Sequence, residues 1–581
     1  MARGRRKKVK CWFYDYETVR WEETRLCVVQ SDEGDEEVFW GPDGAARVGA
    51  MQQREGGTWV AHGGGIFDHL ISWRDSAYPR EVILTGSSVL KATGTPVAGR
   101  APLTWRDSQP RWNAPLAKVG AALGAPKGDV DREHIESVPA DELLKYCRRD
   151  VEILRRGWAE QDAWLSEFGV SASTSGAAAV KLLEVMDPDA WQAMSHHLVD
   201  PAVATGMAAS DVDIDAFMGH PSGSMSGALD AVRGGRTEVR RIGRVNGPVH
   251  VYDIHSSYPA QYRKGPLPIG CVPSVSTDLD EWGWLDWCSW TEPRHADARR
   301  TAYELGHDGR GVGELSAWCT WETAHALLAR GYNVRRHGIG WEPTATVARF
   351  AQPFVDELFR LKESGGLRSF FAKVTVNSLH GKLSEKPYRW SYKLMSPPPP
   401  GSALTGAWLQ HYDPAPAYLK PAAYHQPLMA AAVYQRARLQ LADAIRAVED
   451  AGFEFYYTDT DSVHTNCPPD VFAQLASVGP GLGQWGHEGC AGAATYLAPK
   501  VYQLHDLPKG HKVAGKGLPL KQLTPAVFDH VGGGGEVKLT RTGLGKLRAG
   551  PDAGRRVEQV RTLRRVHHGR ILLDDGVLRY A

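Results

Sequence analysis

Asp459 and Asp461 stand two positions apart in Tyr456-Tyr457-Thr458-Asp459-Thr460-Asp461-Ser462, bracketed by strand formers. The pattern places two carboxylates at the tip of a β-hairpin. Like charges that close repel unless cations occupy the site, which makes the pair a natural platform for divalent metal ions. A lone Asp-x-Asp is more often a solvated turn, but the full Tyr-x-Asp-Thr-Asp-Ser string has a chance expectation on the order of one in thousands for a chain this long. A third carboxylate, Asp253, ends an apolar run from Val249, and Ser256, Tyr258 and Pro259 follow; by itself this reads equally as an ordinary strand exit. Lys373, Asn377 and His380 fall at i, i+4 and i+7 of a helix-forming segment. A cation, an amide and an imidazole then share one face, suited to holding a triphosphate and its base, although alone such a face is usually just solvated.

The first third of the chain carries its own acids. Asp15-Tyr16-Glu17 is weak alone, because acid-x-acid pairs occur by chance about seven times in a chain of this composition. It is followed by Phe67-Asp68, and then by Tyr146 and Asp150, one helical turn apart.

The elements that must position these groups are readable in outline. Lys8 to Thr18 reads as a strand, Glu23 to Gln30 as its hairpin partner, and Thr58 to Ala61 as a short strand. The triplet Gly63-Gly64-Gly65 then leads to a helix from about Phe67. Ala140 to Trp158 is a helix with Leu144, Cys147, Val151 and Leu154 at helical spacing. This alternation predicts an α/β domain to about residue 190. A linker is expected at Pro221 to Gly227, a strand from Val249 to Asp253, and a helix-rich stretch from Pro353 to Lys382. The proline run from Ser396 to Gly401 marks an exposed insertion. Pro427 to Val448 is a helix, Phe453 to His464 a strand-turn-strand, and Gly532 to Gly535 a hinge before a basic tail.

Composition sets outer bounds. The 581 residues are 42% hydrophobic and 23% charged, a globular balance that excludes disordered and fibrous classes. At about 150 residues per domain the length suggests roughly four modules. The net charge of +1 announces no nucleic-acid binder, but Lys538 to Arg570 holds ten basic residues and only Asp552 and Glu558 as acids. No apolar run approaches the roughly 18 residues of a membrane span. The basic start, Met1 to Lys8, is followed by Tyr14-Asp15-Tyr16-Glu17 and not by a signal-peptide core, so a cytoplasmic setting is expected. The eight cysteines never come closer than sixteen positions, which excludes CxxC ribbons and suggests reduced thiols.

Taken in order, DxxSxYP at Asp253, KxxxNSxxG at Lys373 and YxDTDS at Asp459 resemble motifs A, B and C of the family B DNA polymerases. Lys500-Val501-Tyr502 resembles that family's KxY motif. Asp15-x-Glu17, Phe67-Asp68 and Tyr146-x-x-x-Asp150 resemble its three exonuclease motifs, and Lys127-Gly128-Asp129 resembles an element that brings a lysine to the same site. The roughly 100 residues between motifs A and B, and the proline-rich insertion between B and C, resemble the protein-primed bacteriophage subgroup.

The resemblance implies an α/β and α+β multidomain protein: an RNase H-like 3′–5′ exonuclease domain followed by a right-hand polymerase of palm, fingers and thumb with two insertions. The implied boundaries are 1–190 exonuclease, 191–261 linker and first palm segment, 262–352 first insertion and 353–382 fingers. The second insertion spans 383–425, the second palm segment 426–530 and the thumb 531–581. The implied cofactor is Mg²⁺, two ions in each domain with Mn²⁺ as a substitute. Asp253, Asp459 and Asp461 would hold one pair, and Asp15, Glu17, Asp68 and Asp150 the other, with Tyr146 orienting water. Lys362 and Lys373 are expected on the triphosphate and Tyr258 and Ser256 at the sugar. Asn377 and His380 would frame the nascent pair, while Lys500, Tyr502, Lys127, Gly234 and Gly235 are expected on DNA.

Implied partners are template and primer DNA, dNTPs and a terminal protein that serves as primer; no membrane is involved, and a monomer is expected. The chain departs from the family pattern at Gly64, where Asn is usual, at His380, where Tyr is usual, and at Val232, where the YxGG linker has Tyr. His380 is accordingly expected either to make a charge-assisted contact to triphosphate or merely to pack. Three other readings stay open: a polymerase using DNA or RNA primers or none, a nuclease whose second half only binds DNA, and a non-enzymatic single-strand or terminal-protein binder.

Overall fold

In the computed structural model the described residues are 9–19, 23–75, 79–85, 88–94, 101–131, 134–197, 228–276, 278, 280–291, 315–385, 388–389, 392–393, 420–421, 424–507, 510–544, 556–566, 571–572 and 578–579. The expected linker at 221–227 and the proline run at 396–401 lie outside them, as does most of the second insertion.

The first sheet is built from β1 (Cys11–Val19), β2 (Glu23–Ser31), β3 (Glu36–Trp40), β4 (Thr58–Ala61), β5 (Pro79–Thr85), β6 (Ser88–Gly94) and β7 (Thr104–Asp107). Their order is β5-β6-β7-β4-β1-β2-β3, with β1, β4 and β7 parallel and the remaining pairs antiparallel. The two-residue strand Tyr392–Lys393 adds to the β5 edge, so a piece of the second insertion pairs with this sheet.

Alternation along β1 sorts its side chains. Trp12, Tyr14 and Tyr16 join one core with Trp59, Trp73 and Trp105. Phe13 belongs to the other, against Cys147, Val151 and Leu154 of α2 (Ala140–Glu167), and Asp15 and Glu17 share its parity. Helix α1 (Asp68–Asp75) carries Asp68 in its first turn, where a negative charge suits the helix dipole. Helix α2 runs on past Trp158 to Glu167, because Gln161, Trp164 and Leu165 extend its buried stripe.

The second large sheet is antiparallel. Its strands are β8 (Arg236–Val239), β9 (Gly243–Ile254), β14 (Phe455–Thr460), β15 (Ser462–Thr465), β16 (Trp485–Ala498), β17 (Val501–Leu507) and β18 (Gly510–Gly515), in the order β18-β17-β16-β9-β15-β14-β8. Helix α3 (Ser257–Gln261) follows β9 directly. Helix α6 (Pro427–Asp450) covers one face, where Leu441, Ile445 and Val448 meet Tyr252 and Ile254. Within the stretch implied as the first insertion, 262–352, lies a four-stranded antiparallel sheet, β10 (Val272–Val275), β11 (Leu285–Thr291), β12 (Leu315–Thr320) and β13 (Asn333–Glu342), ordered β10-β13-β11-β12.

Helices α4 (Gln352–Lys362) and α5 (Gly366–Leu383) join the first domain to this second body. Phe354, Phe371 and Leu379 share one core with Phe13, Leu183 and Met429, and Trp164 stacks on Phe371 with ring centroids 6.1 Å apart. Of the basic tail, β19 (Val537–Leu544) and β20 (Arg556–Leu563) form a hairpin whose Leu539 and Leu563 pack on Leu497 and Phe528. Its Lys538, Arg541 and Arg561 are exposed.

Candidate active sites

Register brings the three aspartates of the second body together. Asp253 lies on the central strand, opposite Ser462 of β15 on one side and Gly486 of β16 on the other. The neighbouring hairpin turns at Asp459-Thr460-Asp461, with Thr460 at φ +71°. The Ile254 N–H donates to the Asp461 carbonyl at 2.9 Å, which locks the turn beside the end of β9. A pocket of about 510 Å³ opens here, lined by the three aspartates together with Lys373 and Lys500. Burial, followed by Asp461 and Glu488, pushes Asp253 up to about 7, against the pull of Lys373 and Lys512. Burial and Asp459 push Asp461 up to about 6. Acids raised by burial and by one another's charge are a donor set that divalent cations would neutralise.

Around them the predicted partners fall as follows. Lys500 pairs through Nζ with Asp459, and its backbone N–H donates to the Tyr457 hydroxyl at 2.9 Å. Tyr502 lines the same pocket. Lys362 is half-buried, and its Nζ donates to Ser256 Oγ at 3.3 Å. Ser256 itself sits in the left-handed region at φ +52°, turning the chain from β9 into α3. Tyr258 is half-buried, 4.7 Å from the His380 ring and 5.1 Å from that of Tyr434. Gly235 abuts it: a β-carbon there would stand 2.8 Å from the Tyr258 hydroxyl and 2.8 Å from Thr460 Cβ. Gly234 has open space at that position, and its carbonyl accepts from Arg438.

Of the two readings left open for His380, its surroundings fit packing. Lys373 and Asn377 are exposed as a shared helix face requires, but His380 is only 2% exposed. Its ring lies 4.3 Å from Tyr434, its Nδ1 is 3.4 Å from the Tyr262 hydroxyl, and its Nε2 is buried without a partner. Burial pushes the imidazole down to about 3, so it stays neutral at physiological pH and makes no charge-assisted contact. The periodicity is right; the last turn of that face is covered by aromatic rings that the helix alone does not reveal.

In the first domain, Asp68 is buried, and its Oδ1 accepts from the Tyr16 N–H at 3.0 Å, which ties α1 to β1 between Asp15 and Glu17. Burial and then Asp15 push Asp68 well above the usual carboxylate range. Asp150 is buried on α2 and pairs with Lys127, whose ammonium also sits 4.8 Å from the centroid of the Tyr146 ring. Lys127 thus sits with Asp150 and Tyr146, two residues of the same expected site. Gly64 cannot carry the Asn of the family pattern here, because a β-carbon would stand 2.7 Å from Ala61 Cβ and 2.7 Å from His69 Cε1.

Several contributors were not read from sequence. Asp107 accepts from the N–H groups of Gly63 at 2.9 Å and Gly65 at 3.1 Å, shaping the glycine loop ahead of Asp68. Glu488 and Lys512 line the pocket of the three aspartates from strands outside the motifs, and His464 lines it from the strand that follows Asp461. Cys147 places its sulfur beside Asp15. No spacing signal marks any of these; all depend on strand register or helix packing.

Residues 129–284 match the family model for DNA polymerase type B, organellar and viral. No curated protein matches the chain. Among solved structures, Phi29 DNA polymerase complexed with single-stranded DNA superposes with a TM-score of 0.68 at 17% identity, covering 96% of this chain and 100% of that one. The same polymerase with primer-template DNA gives 0.67, and its ternary complex with primer-template DNA and incoming nucleotide substrates gives 0.66, each at 17% identity and the same coverage. The chain therefore shares the multidomain α/β fold of these structures, the fold class that the sequence resemblance implied.

Proposed function

We propose that this chain is a DNA-directed DNA polymerase of family B with a 3′–5′ proofreading exonuclease in a separate domain. The observation that carries the reading is the convergence of Asp253 with the Asp459–Asp461 hairpin in one pocket with Lys373 and Lys500, far in sequence from a second acidic cluster at Asp15, Glu17, Asp68 and Asp150. The likeness to Phi29 DNA polymerase and the type B family match support it. A pure DNA-binding role leaves both acid clusters without purpose, since uncompensated carboxylates repel DNA.

In this reading Asp253 and Asp461 hold Mg²⁺, with Asp459 beside them; bound there, the ions would acidify the primer hydroxyl and neutralise charge on the α-phosphate and the leaving pyrophosphate. Mn²⁺ would be a substitute. Lys373 and Lys362 serve the triphosphate as compact point charges. Tyr258, backed by His380 and Tyr434, lies under the sugar and excludes a 2′-hydroxyl by contact, with Ser256 and Asn377 alongside. Lys500, paired here with Asp459, would serve the primer terminus, with Tyr502 beside it. In the first domain Asp15, Glu17, Asp68 and Asp150 hold the second pair of ions, Tyr146 orients the attacking water, and Lys127 offsets charge at Asp150. The tail hairpin follows the phosphate backbone, a salt-sensitive contact. The domain layout is the one implied by the sequence: exonuclease to about residue 190, palm in two segments, fingers at 353–382, insertions at 262–352 and 383–425, and a thumb from 531.

Priming by a terminal protein on a linear genome, with strand displacement, extends the same reading. Primer extension read on a gel, with and without a primer hybrid, tests it. Synthesis dependent on template and divalent metal is expected, and its absence in folded protein would overturn the assignment. Transfer of a labelled nucleotide to a cognate partner protein marks protein priming. Efficient extension of DNA primers with no such adduct assigns ordinary primers instead.

A further inference from the structure

Away from both acid clusters, the strand that carries Asp253 also carries an imidazole that neither proposed reaction uses. Val251 and Asp253 of β9 line the pocket of the three aspartates, so alternation turns His250 and Tyr252 to the other face of the sheet. On the neighbouring strand β16, His487 lies opposite Tyr252 and Cys490 opposite His250. The register shifts between His487 and Gly489, as at a β-bulge, and bulges re-aim side chains. His250 Nδ1 and His487 Nε2 come to stand 3.2 Å apart. Two nitrogens held by a tetrahedral Zn²⁺, each about 2.0–2.1 Å from the ion, stand about 3.3–3.4 Å apart. A turn of the two rings with almost no change in their separation therefore lets them share one ion.

The surroundings prepare the pair. The second nitrogen of His250, Nε2, lies 3.9 Å from Cys490 Sγ. With its proton on Nε2, toward the sulfur, His250 presents the Nδ1 lone pair to His487; a partner on the far nitrogen is how a ligand imidazole is usually held in its binding tautomer. Tyr252 forms the floor. Its ring stacks on Phe472 with centroids 3.7 Å apart, and its hydroxyl donates to the Cys467 carbonyl at 2.8 Å. The His250 and His487 rings lie 6.3 Å and 5.1 Å from it. Burial and then His487 hold His250 below the usual imidazole range, so it is neutral at physiological pH and keeps a lone pair to give. His487 is exposed and His250 half-buried, so an ion with its water ligands can reach both.

We propose that His250 Nδ1 and His487 Nε2 form a two-histidine clip for a divalent cation of the Zn²⁺ class, with water completing the coordination. Imidazole suits Zn²⁺, Ni²⁺ and Cu²⁺, whereas Mg²⁺ takes oxygen ligands, so the clip selects a different ion from the one proposed for the carboxylates. On binding, His487 carries its proton on Nδ1, and no net proton is released. The ion ties β9 to β16 beside the pocket, since Gly486, next to His487, pairs with Asp253. The clip does not depend on the polymerase reading.

Calorimetric titration of the full chain with Zn²⁺ in excess Mg²⁺, without DNA, tests it. His487→Ala, at an exposed position, should remove one equivalent of bound Zn²⁺ or weaken it by at least about tenfold, and His250→Gln should do the same. Asp15→Ala combined with Asp459→Asn spoils both carboxylate clusters and should leave that equivalent in place. Zn²⁺ should also raise the melting midpoint more in the wild type than in His487→Ala, because the ion binds the folded clip and not the unfolded chain. If His250→Gln does not melt cooperatively, the two readings of His487→Ala decide. Zn²⁺ binding unchanged in His487→Ala, or no Zn²⁺ bound beyond what the carboxylate variant loses, overturns the proposal and leaves the pair a hydrogen bond between neutral rings. Failure of the polymerase reading looks different: no template-dependent synthesis, with the histidine-dependent equivalent still bound.

Discussion

Gly234 and Gly235 separate two explanations of the same motif. An alanine β-carbon at 235 would meet Thr460 Cγ2, with Thr460 Cβ and the Tyr258 hydroxyl each at 2.8 Å. Comfortable carbon contacts are about 3.5–4.0 Å, so something must retreat by about 1 Å. Thr460 is the left-handed residue between Asp459 and Asp461, so its retreat carries both carboxylates with it. Overpacking of this kind costs about 1–3 kcal/mol. Misplacing a reacting geometry by about 1 Å costs on the order of 10²-fold in rate. Gly235→Ala should therefore slow single-turnover nucleotide addition by about 10–100-fold, leaving template–primer affinity within about twofold and degradation by the other site untouched. Adding Thr460→Ser, which removes the nearest methyl, should restore part of the rate. Gly234→Ala faces open space and should match the wild type. Rapid-quench extension with binding measured in parallel reads all of these. If both glycine variants weaken DNA binding alike with no change in the maximal rate, the pair acts by touching DNA, and the packing argument is wrong.

Other outcomes follow from the same geometry. His380 is neutral across the working range, so the pH profile of KM for dNTP should be the same in His380→Tyr as in the wild type; a profile flattened only by the substitution would show that the imidazole does charge. Asp253 and Asp461 are raised to about 7 and about 6, so each is increasingly protonated as pH falls through its value and Mg²⁺ must displace the proton. The apparent Mg²⁺ requirement for extension should rise by up to about tenfold per pH unit for each proton displaced, between about pH 8 and pH 6; a flat requirement, titrated by extension rate, contradicts the raised values. The second insertion, about Leu383 to Ala422, touches the first sheet through Tyr392–Lys393, and deleting it should shorten products on double-stranded template more than on single-stranded template. Equal product lengths on both would show it to be decorative.

How much of this was legible in the sequence depends on where each residue gets its meaning. Asp459 and Asp461 are positioned by a turn that lies within their own string, and Asp253 by the strand it ends, so spacing was enough. Asp15 and Glu17 share a strand face for the same local reason. The long buried stripes of α2 and α6 were likewise visible as periodicity. For His380 the sequence left charged contact and packing open, because Tyr258, Tyr262 and Tyr434 cover it from segments that no local pattern links to it. Cys147 passed for one more apolar position on α2, and its partner Asp15 is 132 residues away. Asp107, Glu488 and Lys512 become site residues only through strand register. Gly64 shows the converse: its departure from the family pattern is explained by His69, five residues on, whose ring fills the space that a side chain would need.

The central claim is that one chain holds two separate metal-dependent sites, and the most direct measurement of it is a paired assay of primer extension and primer degradation on the same end-labelled substrate. Asp459→Asn should abolish extension and keep degradation, whereas Asp15→Ala with Asp68→Ala should abolish degradation and leave extension largely intact. Comparable loss of both activities in each variant, with cooperative melting preserved, would contradict the two-site account.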